Sequence, residues 1–328
     1  MNERHRALVL FLAAIYSLFN RSNASARLVE FETLIVGGGV AGLSAALVLG
    51  RCRRRVLVCD DGRPRNAVAH GVHAYLGRDG VPPAEFLNIA RAEAMAYPGV
   101  QWRHGTIVDV TRRDGGFMLE GHDGSSVTGA TLLLATGLVD ELPTVPGFRQ
   151  FWGHSVFTCP FCDGWEVRDQ RFVTIGRGAD VYEFALELRQ WASELLVCTD
   201  GPARLDVAAR DHLARLKIPL LEQPVQALEG GGTQVSAVRF VDGTAIETRV
   251  VFLTTCQHQR TELAVKLGCR LDAAQEILTD RCGYAAEDVW VAGNASAGLQ
   301  LSIIAAAEGA AAAHAINERL VARGLEGT

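Results

Sequence analysis

One pair of cysteines stands two residues apart, in Thr158-Cys159-Pro160-Phe161-Cys162-Asp163-Gly164. Two thiols at this spacing can close a disulfide and reopen it, the chemistry of thiol–disulfide exchange. A thiolate attacks a substrate sulfur, and the second cysteine resolves the mixed disulfide. Two other uses compete, half of a zinc site and a fixed disulfide. Structural zinc needs four ligands, and no second C-x-x-C and no H-x-x-x-H occurs. The spacing more often marks a redox couple than a static bridge. The remaining cysteines, Cys52, Cys59, Cys198, Cys256, Cys269 and Cys282, are scattered, several in apolar runs. That is the pattern of buried small hydrophobes, not of a disulfide-dense secreted domain.

A second constellation precedes the first in the chain. Gly37-Gly38-Gly39-Val40-Ala41-Gly42 follows an apolar run, Thr33 to Val36, and opens an alanine- and leucine-rich segment reaching Gly50. In a strand–turn–helix, Gly37 permits the tight turn and Gly39 lets the backbone approach a pyrophosphate. Gly42 lets helix and strand pack closely. The helix N-terminus offers free N–H groups and a partial positive charge to phosphates. An acid is expected roughly 20 residues further on to bond ribose hydroxyls. Asp60 stands there, at the end of the apolar strand Arg55 to Cys59 and followed by Asp61 and Gly62. Strand, glycines, helix, strand and acid agree on a dinucleotide site.

The unit occurs twice. Arg171 to Ile175 reads as a strand, Gly176-Arg177-Gly178-Ala179-Asp180-Val181 as a turn, Tyr182 to Trp191 as a helix and Glu194 to Cys198 as a strand. Leu195-Leu196-Val197-Cys198-Thr199-Asp200-Gly201 parallels Val56-Leu57-Val58-Cys59-Asp60-Asp61-Gly62. Apolar strands without alternation predict parallel sheets covered on both faces. Two further strands end in glycine, Leu132 to Gly137 and Val289 to Gly293, and Leu301 to Leu320 reads as a long helix. The expected fold is α/β, with two Rossmann-like dinucleotide-binding domains, the second inserted in the first. The first spans 30–140 and 256–322, and the second, which carries the cysteine pair, spans 141–255.

Composition sets outer limits. A chain of 328 residues, 48% of them hydrophobic, can bury a substantial core. A net charge of −5 gives no electrostatic support for nucleic-acid binding. Residues 1–29 read as a leader or extension. Basic Arg4 and Arg6 precede an apolar run from Ala7 to Phe19, and Ala24-Ser25-Ala26 offers a cleavage-like site. The run is too short to span a bilayer comfortably, so no membrane partner is expected. The expected location is cytoplasmic, with export through the leader as the alternative.

These features together resemble the low-molecular-weight thioredoxin reductases, over nearly everything after residue 30. The resemblance rests on the first glycine motif, Ala135-Thr136-Gly137, the Cys-Pro-Phe-Cys-Asp segment and the late Gly293-Asn294. It implies FAD in the first site. It further implies that Cys162 faces the flavin, that Cys159 exchanges with substrate and that Asp163 is the acid–base group. The family's late motif is usually Gly-Asp, so Asn294 is a neutral substitute that can still hydrogen-bond. Gln300 and Leu301 match the segment near the flavin ring. Arg65, Asn66 and His73 fall in the loop that wraps the flavin. A thioredoxin-like protein or a small disulfide or dithiol is the implied partner, and a homodimer the implied assembly.

The second nucleotide site departs from that family. Gly176 and Gly178 remain, but Val181 occupies the third small position. Where the family carries a His-Arg-Arg cluster for the 2′-phosphate of NADPH, this chain has Thr199-Asp200-Gly201. Asp200 repels a 2′-phosphate and can bond free ribose hydroxyls. NADPH is therefore disfavoured. NADH, a second FAD as in diflavin-linked disulfide oxidoreductases, and a vestigial site all stay open. His258, in an altered Thr254–Arg260 segment, reads as a hinge or surface histidine. Dithiol oxidases that use oxygen also lack the arginines but tend to carry histidine after the second cysteine, where Asp163 stands here. A flavin-binding scaffold without turnover is the non-enzymatic alternative.

Overall fold

The computed structural model describes residues 29–254, 256–296 and 298–326. Positions 1–28 of the expected leader lie outside the described residues. Among those described, no helix is long and apolar enough to cross a membrane.

The first domain is built on a parallel sheet. Its strands run in the order Val100–His104, Val56–Asp60, Phe31–Val36, Ser126–Leu134, Val289–Val291, with Tyr284–Ala286 antiparallel at the edge. The central strands are buried along almost their whole length, the reason their sequences are apolar without alternation. The helices Val40–Arg51 and Ser302–Glu326 pack together over one face. There Leu43, Ala46, Leu49, Ala313 and Ile316 share a core with Ile35, Val58 and Leu133. The other face is closed by the antiparallel strands Ile107–Arg113 and Gly116–Gly121, which bring Val110, Phe117 and Leu119 onto Leu34, Leu57 and Leu132.

The second domain repeats the plan. Five parallel strands run in the order Leu220–Leu221, Glu194–Cys198, Arg171–Ile175, Val250–Leu253, Val156–Phe157. The helix Gly178–Leu188 covers one face, and a three-stranded antiparallel sheet, Val225–Gly231, Gln234–Phe240 and Ala245–Glu247, covers the other. The chain leaves the first domain through Leu138–Glu141 and returns through Cys256–Gln259. These two crossings pair as an antiparallel ribbon. His258 lies on that ribbon, its Nε2 2.9 Å from the Glu141 carboxylate.

Two boundaries differ from the sequence-based expectation. The second-domain helix begins at Gly178 and ends at Leu188, not Tyr182 to Trp191. Gly178 takes φ +68°, which turns the chain sharply enough for the helix to wind at once. The last helix continues past Leu320 to Glu326, where Arg319 and Arg323 both pair with the buried Asp288.

Candidate active site

The glycine turn forms as its chemistry requires. Gly37 holds φ +105°, and a Cβ there would meet the Ala135 carbonyl oxygen at 2.2 Å. A Cβ on Gly42 would lie 2.0 Å from the Gly37 carbonyl oxygen, so only glycine lets the helix start this close to the turn. At Gly39 an added Cβ would meet nothing within 4 Å, so this face of the turn is open toward the cleft. No acidic residue occupies the helix's first turn to compete for its N–H groups. Gly42→Ala should displace the turn and cost the purified protein most of its flavin. Flavin absorbance per chain checks this, and a full complement would contradict the assignment.

The turn opens into a cleft of ≈ 1060 Å³, at the upper end of the size of small-molecule sites, about 300–1000 Å³. Gly37 to Ala41, Ala135-Thr136-Gly137, Gly293-Asn294 and Gln300-Leu301 line it, as do Arg65, Asn66 and His73 of the wrapping loop. Cys159, Cys162 and Asp163 line it too, so both constellations face one space. Gly42 packs beneath the turn instead. Asp60 is oriented by the protein, one carboxylate oxygen accepting from the Gly38 amide (2.8 Å) and the other from Gly62 (3.1 Å). Asp61 pairs with Arg63, which holds its carboxyl below the usual range against the opposing effect of burial. The open glycine cradle, the unopposed helix N-terminus and the long cleft fit FAD, and a bound flavin would exchange an electron pair with the cysteines.

Trp102, Arg91 and Glu308, near the glycine turns, escaped the sequence reading. Trp102 backs the glycine turn, its ring 2.1 Å from where a Gly38 Cβ would be, and the Arg91 guanidinium lies 3.8 Å over that ring. Glu308, in the last helix, accepts from the Gly293 amide at 2.8 Å, and burial raises its carboxyl. Its carboxyl group thus sits beside the turn where Asn294 replaces the expected aspartate. Arg65 makes a two-point bond to Asp140 on the ribbon (both 2.6 Å) and a third bond to Gln300 (2.6 Å). Gln257, also on the ribbon, bonds Gln300 and Asp140. The cleft wall is thereby tied to the interdomain crossing.

The cysteine pair follows from local geometry. The strand Val156–Phe157 ends just before Cys159, which caps the one-turn helix Pro160–Asp163 in extended conformation. Pro160 fits the first helical position, where its missing N–H costs nothing. The turn brings the Cα atoms of Cys159 and Cys162 to 5.2 Å, and the two are joined as a disulfide. The Cys162 amide donates to Cys159 Sγ at 3.1 Å. Phe161, half-exposed, meets the Trp191 ring edge-on. Asp163 ends the turn, and burial pushes its carboxyl up to about 7, with Glu166 adding to the rise and His73 opposing it. A carboxyl poised there can give or take a proton near neutral pH. By contrast, burial pushes the thiols of Cys59 and Cys198 up to about 11 and about 12, which leaves them inert.

The second glycine turn is occupied differently. Cys198 pairs with Ile175 as Cys59 pairs with Val36, so Thr199 stands where Asp60 stands and Asp200 matches Asp61. Asp200 takes φ +47°, and its carboxylate accepts from the Val225 amide (2.8 Å) and from Arg177 (3.1 Å). Arg177, between Gly176 and Gly178, also donates to the Thr199 and Asp200 carbonyls. Its guanidinium thus spans from the turn to the end of the next strand, across the crevice where a dinucleotide's ribose enters such folds. Asp200 is thus held through both carboxylate oxygens. A chamber beside Thr158 is lined by Asp180, Glu183 and Glu187, with no basic residue among the described residues of its wall.

Two stacked dinucleotide folds with a redox cysteine turn facing the first define a flavin-type disulfide oxidoreductase. The chain belongs to the pyridine nucleotide-disulphide oxidoreductase family, whose model matches residues 31–310. That family implies FAD and a nicotinamide cofactor. The thioredoxin reductase of Treponema pallidum is 29% identical over 306 residues, 87% of this chain and 96% of that protein. Among solved structures, HlmI superposes with a TM-score of 0.87 at 33% identity, covering 90% of this chain and 94% of its own. An oxidoreductase from Agrobacterium tumefaciens superposes with a TM-score of 0.83 at 30% identity, over 89% of this chain and 99% of its own. Three further curated relatives are matched over only 43–45% of their length.

Proposed function

We propose that this chain is an FAD-dependent dithiol–disulfide oxidoreductase in which Cys162 exchanges electrons with the flavin, Cys159 exchanges with substrate and Asp163 manages the proton. The observation that carries it is the shared cleft of the glycine turn, the cysteine pair and Asp163. The substrate is a thioredoxin-like protein or a small disulfide or dithiol. The same reading takes the domain boundaries at the ribbon, 140/141 and 255/256, and a cytoplasmic homodimer.

NADPH is not the electron donor in this reading. The reading is supported by the Arg177–Asp200 pair, which neutralises the one arginine of the second turn where the resemblance would put an arginine cluster, and by the three carboxylates of the chamber beside Thr158. The lack of an arginine cluster at the second turn also supports a second direction, oxidation of small dithiols with oxygen as the final acceptor. Anaerobic mixing tests both. NADPH should leave the flavin oxidised, whereas a small dithiol should bleach it, with oxygen uptake once air is admitted. Fast bleaching by NADPH would overturn the donor assignment. Cofactor release should give one FAD per chain; two would assign a second FAD to the second domain.

A further inference from the structure

Most cations that face the cleft are already committed to carboxylates. Four arginines and His73 line it. Arg63 and Arg260 share Asp61, and Arg65 is bound to Asp140. His73 lies between Asp79 and Glu166. Arg91 is the exception. Among the described residues no carboxylate pairs with it, and its Nε is buried without a hydrogen-bond partner.

The fold holds this arginine in place. Arg91 stands on the helix Pro83–Met95, where Ala84, Leu87, Asn88 and Arg91 recur at three- and four-residue spacing and line the cleft as one face. Its guanidinium lies 3.8 Å from the centre of the Trp102 ring. That ring comes from the edge strand Val100–His104 and reaches the glycine turn, where Gly38 has no side chain to push it away. Trp102 therefore keeps the cation beside the turn, by stacking and by cation–π attraction. The two aspartates that follow the second strand do not compensate it. Asp60 accepts from the Gly38 and Gly62 amides, and Asp61 accepts from Arg63. A buried donor left without an acceptor is costly and uncommon. An unpaired cation held against a ligand cleft therefore suits an anionic ligand.

We propose that Arg91 is the anion receptor of the dinucleotide cleft, setting its guanidinium against the pyrophosphate of FAD. The inference rests on the flavin reading proposed above and adds a residue to it. A guanidinium suits the task because its planar fork can meet two phosphate oxygens at once while its face stacks on an aromatic ring. The glycine turn and the helix behind it offer only backbone N–H groups and a partial charge. Arg91 adds the full positive charge that they lack.

Calorimetric titration of the full chain, freed of flavin, tests it. Arg91→Gln should bind FAD about 10- to 100-fold more weakly than the wild type, the loss expected for a charge-assisted hydrogen bond. Arg91→Lys should fall between the two, because an ammonium keeps the charge but not the fork. Added salt should weaken FAD binding by the wild type more than by the glutamine variant. Two smaller probes separate contact with phosphate from packing of the wall. Arg91→Gln should lose affinity for ADP by a similar factor and bind adenosine as the wild type does. Unchanged affinity for FAD and ADP would overturn the proposal. So would an equal loss for ADP and adenosine, or a wild type that binds ADP no better than adenosine. A wild type that takes up no FAD would count instead against the flavin reading, while the comparison of ADP with adenosine still decides the role of Arg91.

Discussion

Replacing Cys162 with serine should leave a folded protein that holds its flavin and turns over no disulfide. The change swaps one sulfur for one oxygen, so packing within the Pro160–Asp163 turn is conserved. The disulfide to Cys159 is lost, and with it the only described bond through which the pair can store two electrons. A serine hydroxyl forms no S–S bond and is no substitute for a thiolate in exchange. Cys159 then stays free to attack substrate but cannot be resolved, so the variant should accumulate a covalent mixed disulfide. Intact-mass spectrometry after exposure to a disulfide substrate would reveal the adduct on Cys159, alongside flavin absorbance equal to that of the wild type. Undiminished turnover would reject the assignment of the pair.

Asp163→Asn should cost about 10²–10⁴ in rate, the range for a positioned acid–base group. The pH dependence has a definite sign. With its carboxyl raised to about 7, Asp163 is protonated and a proton donor below that pH and a base above it. Disulfide reduction should therefore fall as pH rises through about 7, and dithiol oxidation should climb; asparagine should flatten both profiles. Stability moves in a linked way. A carboxyl whose folded value lies above its ordinary value of 3.8 contributes stability that is complete below that value. The contribution is lost as pH rises toward about 7, because the unfolded chain gives up its proton first. Thermal melts across this window should decline more steeply for the wild type than for Asp163→Asn. Parallel pH profiles for the two proteins, in rate and in melting, would remove Asp163 from the mechanism.

Much of the machinery lies in short stretches, and short stretches are legible. The turn Gly37 to Gly42 needs only its own glycines and the strand before it. The cysteine turn likewise needs Pro160 at its start and two-residue spacing. Both arise from local backbone geometry, and both emerged as their residues implied. Burial of Cys59 and Cys198 was equally readable, because each ends an apolar run that becomes a central strand. The second site was harder. In the sequence Asp200 looks like a ribose acceptor, but its role depends on strand register and on where the Arg177 side chain goes. Register makes Thr199, not Asp200, the counterpart of Asp60, and Arg177 and the Val225 amide both donate to the Asp200 carboxylate.

The Cys159/Cys162 couple, the flavin-type glycine turn and the doubled α/β plan were determined by the sequence alone, because each is encoded within a few neighbouring residues or a repeated pattern. Tertiary structure decided what those parts face. Asp163 acquires its raised carboxyl from burial, His73 meets Glu166 across a domain boundary, and Arg65 reaches Asp140 and Gln300 from distant positions in the chain. Desolvation and long-range side-chain contact exist only once the chain has closed on itself. No local pattern of residues carries them.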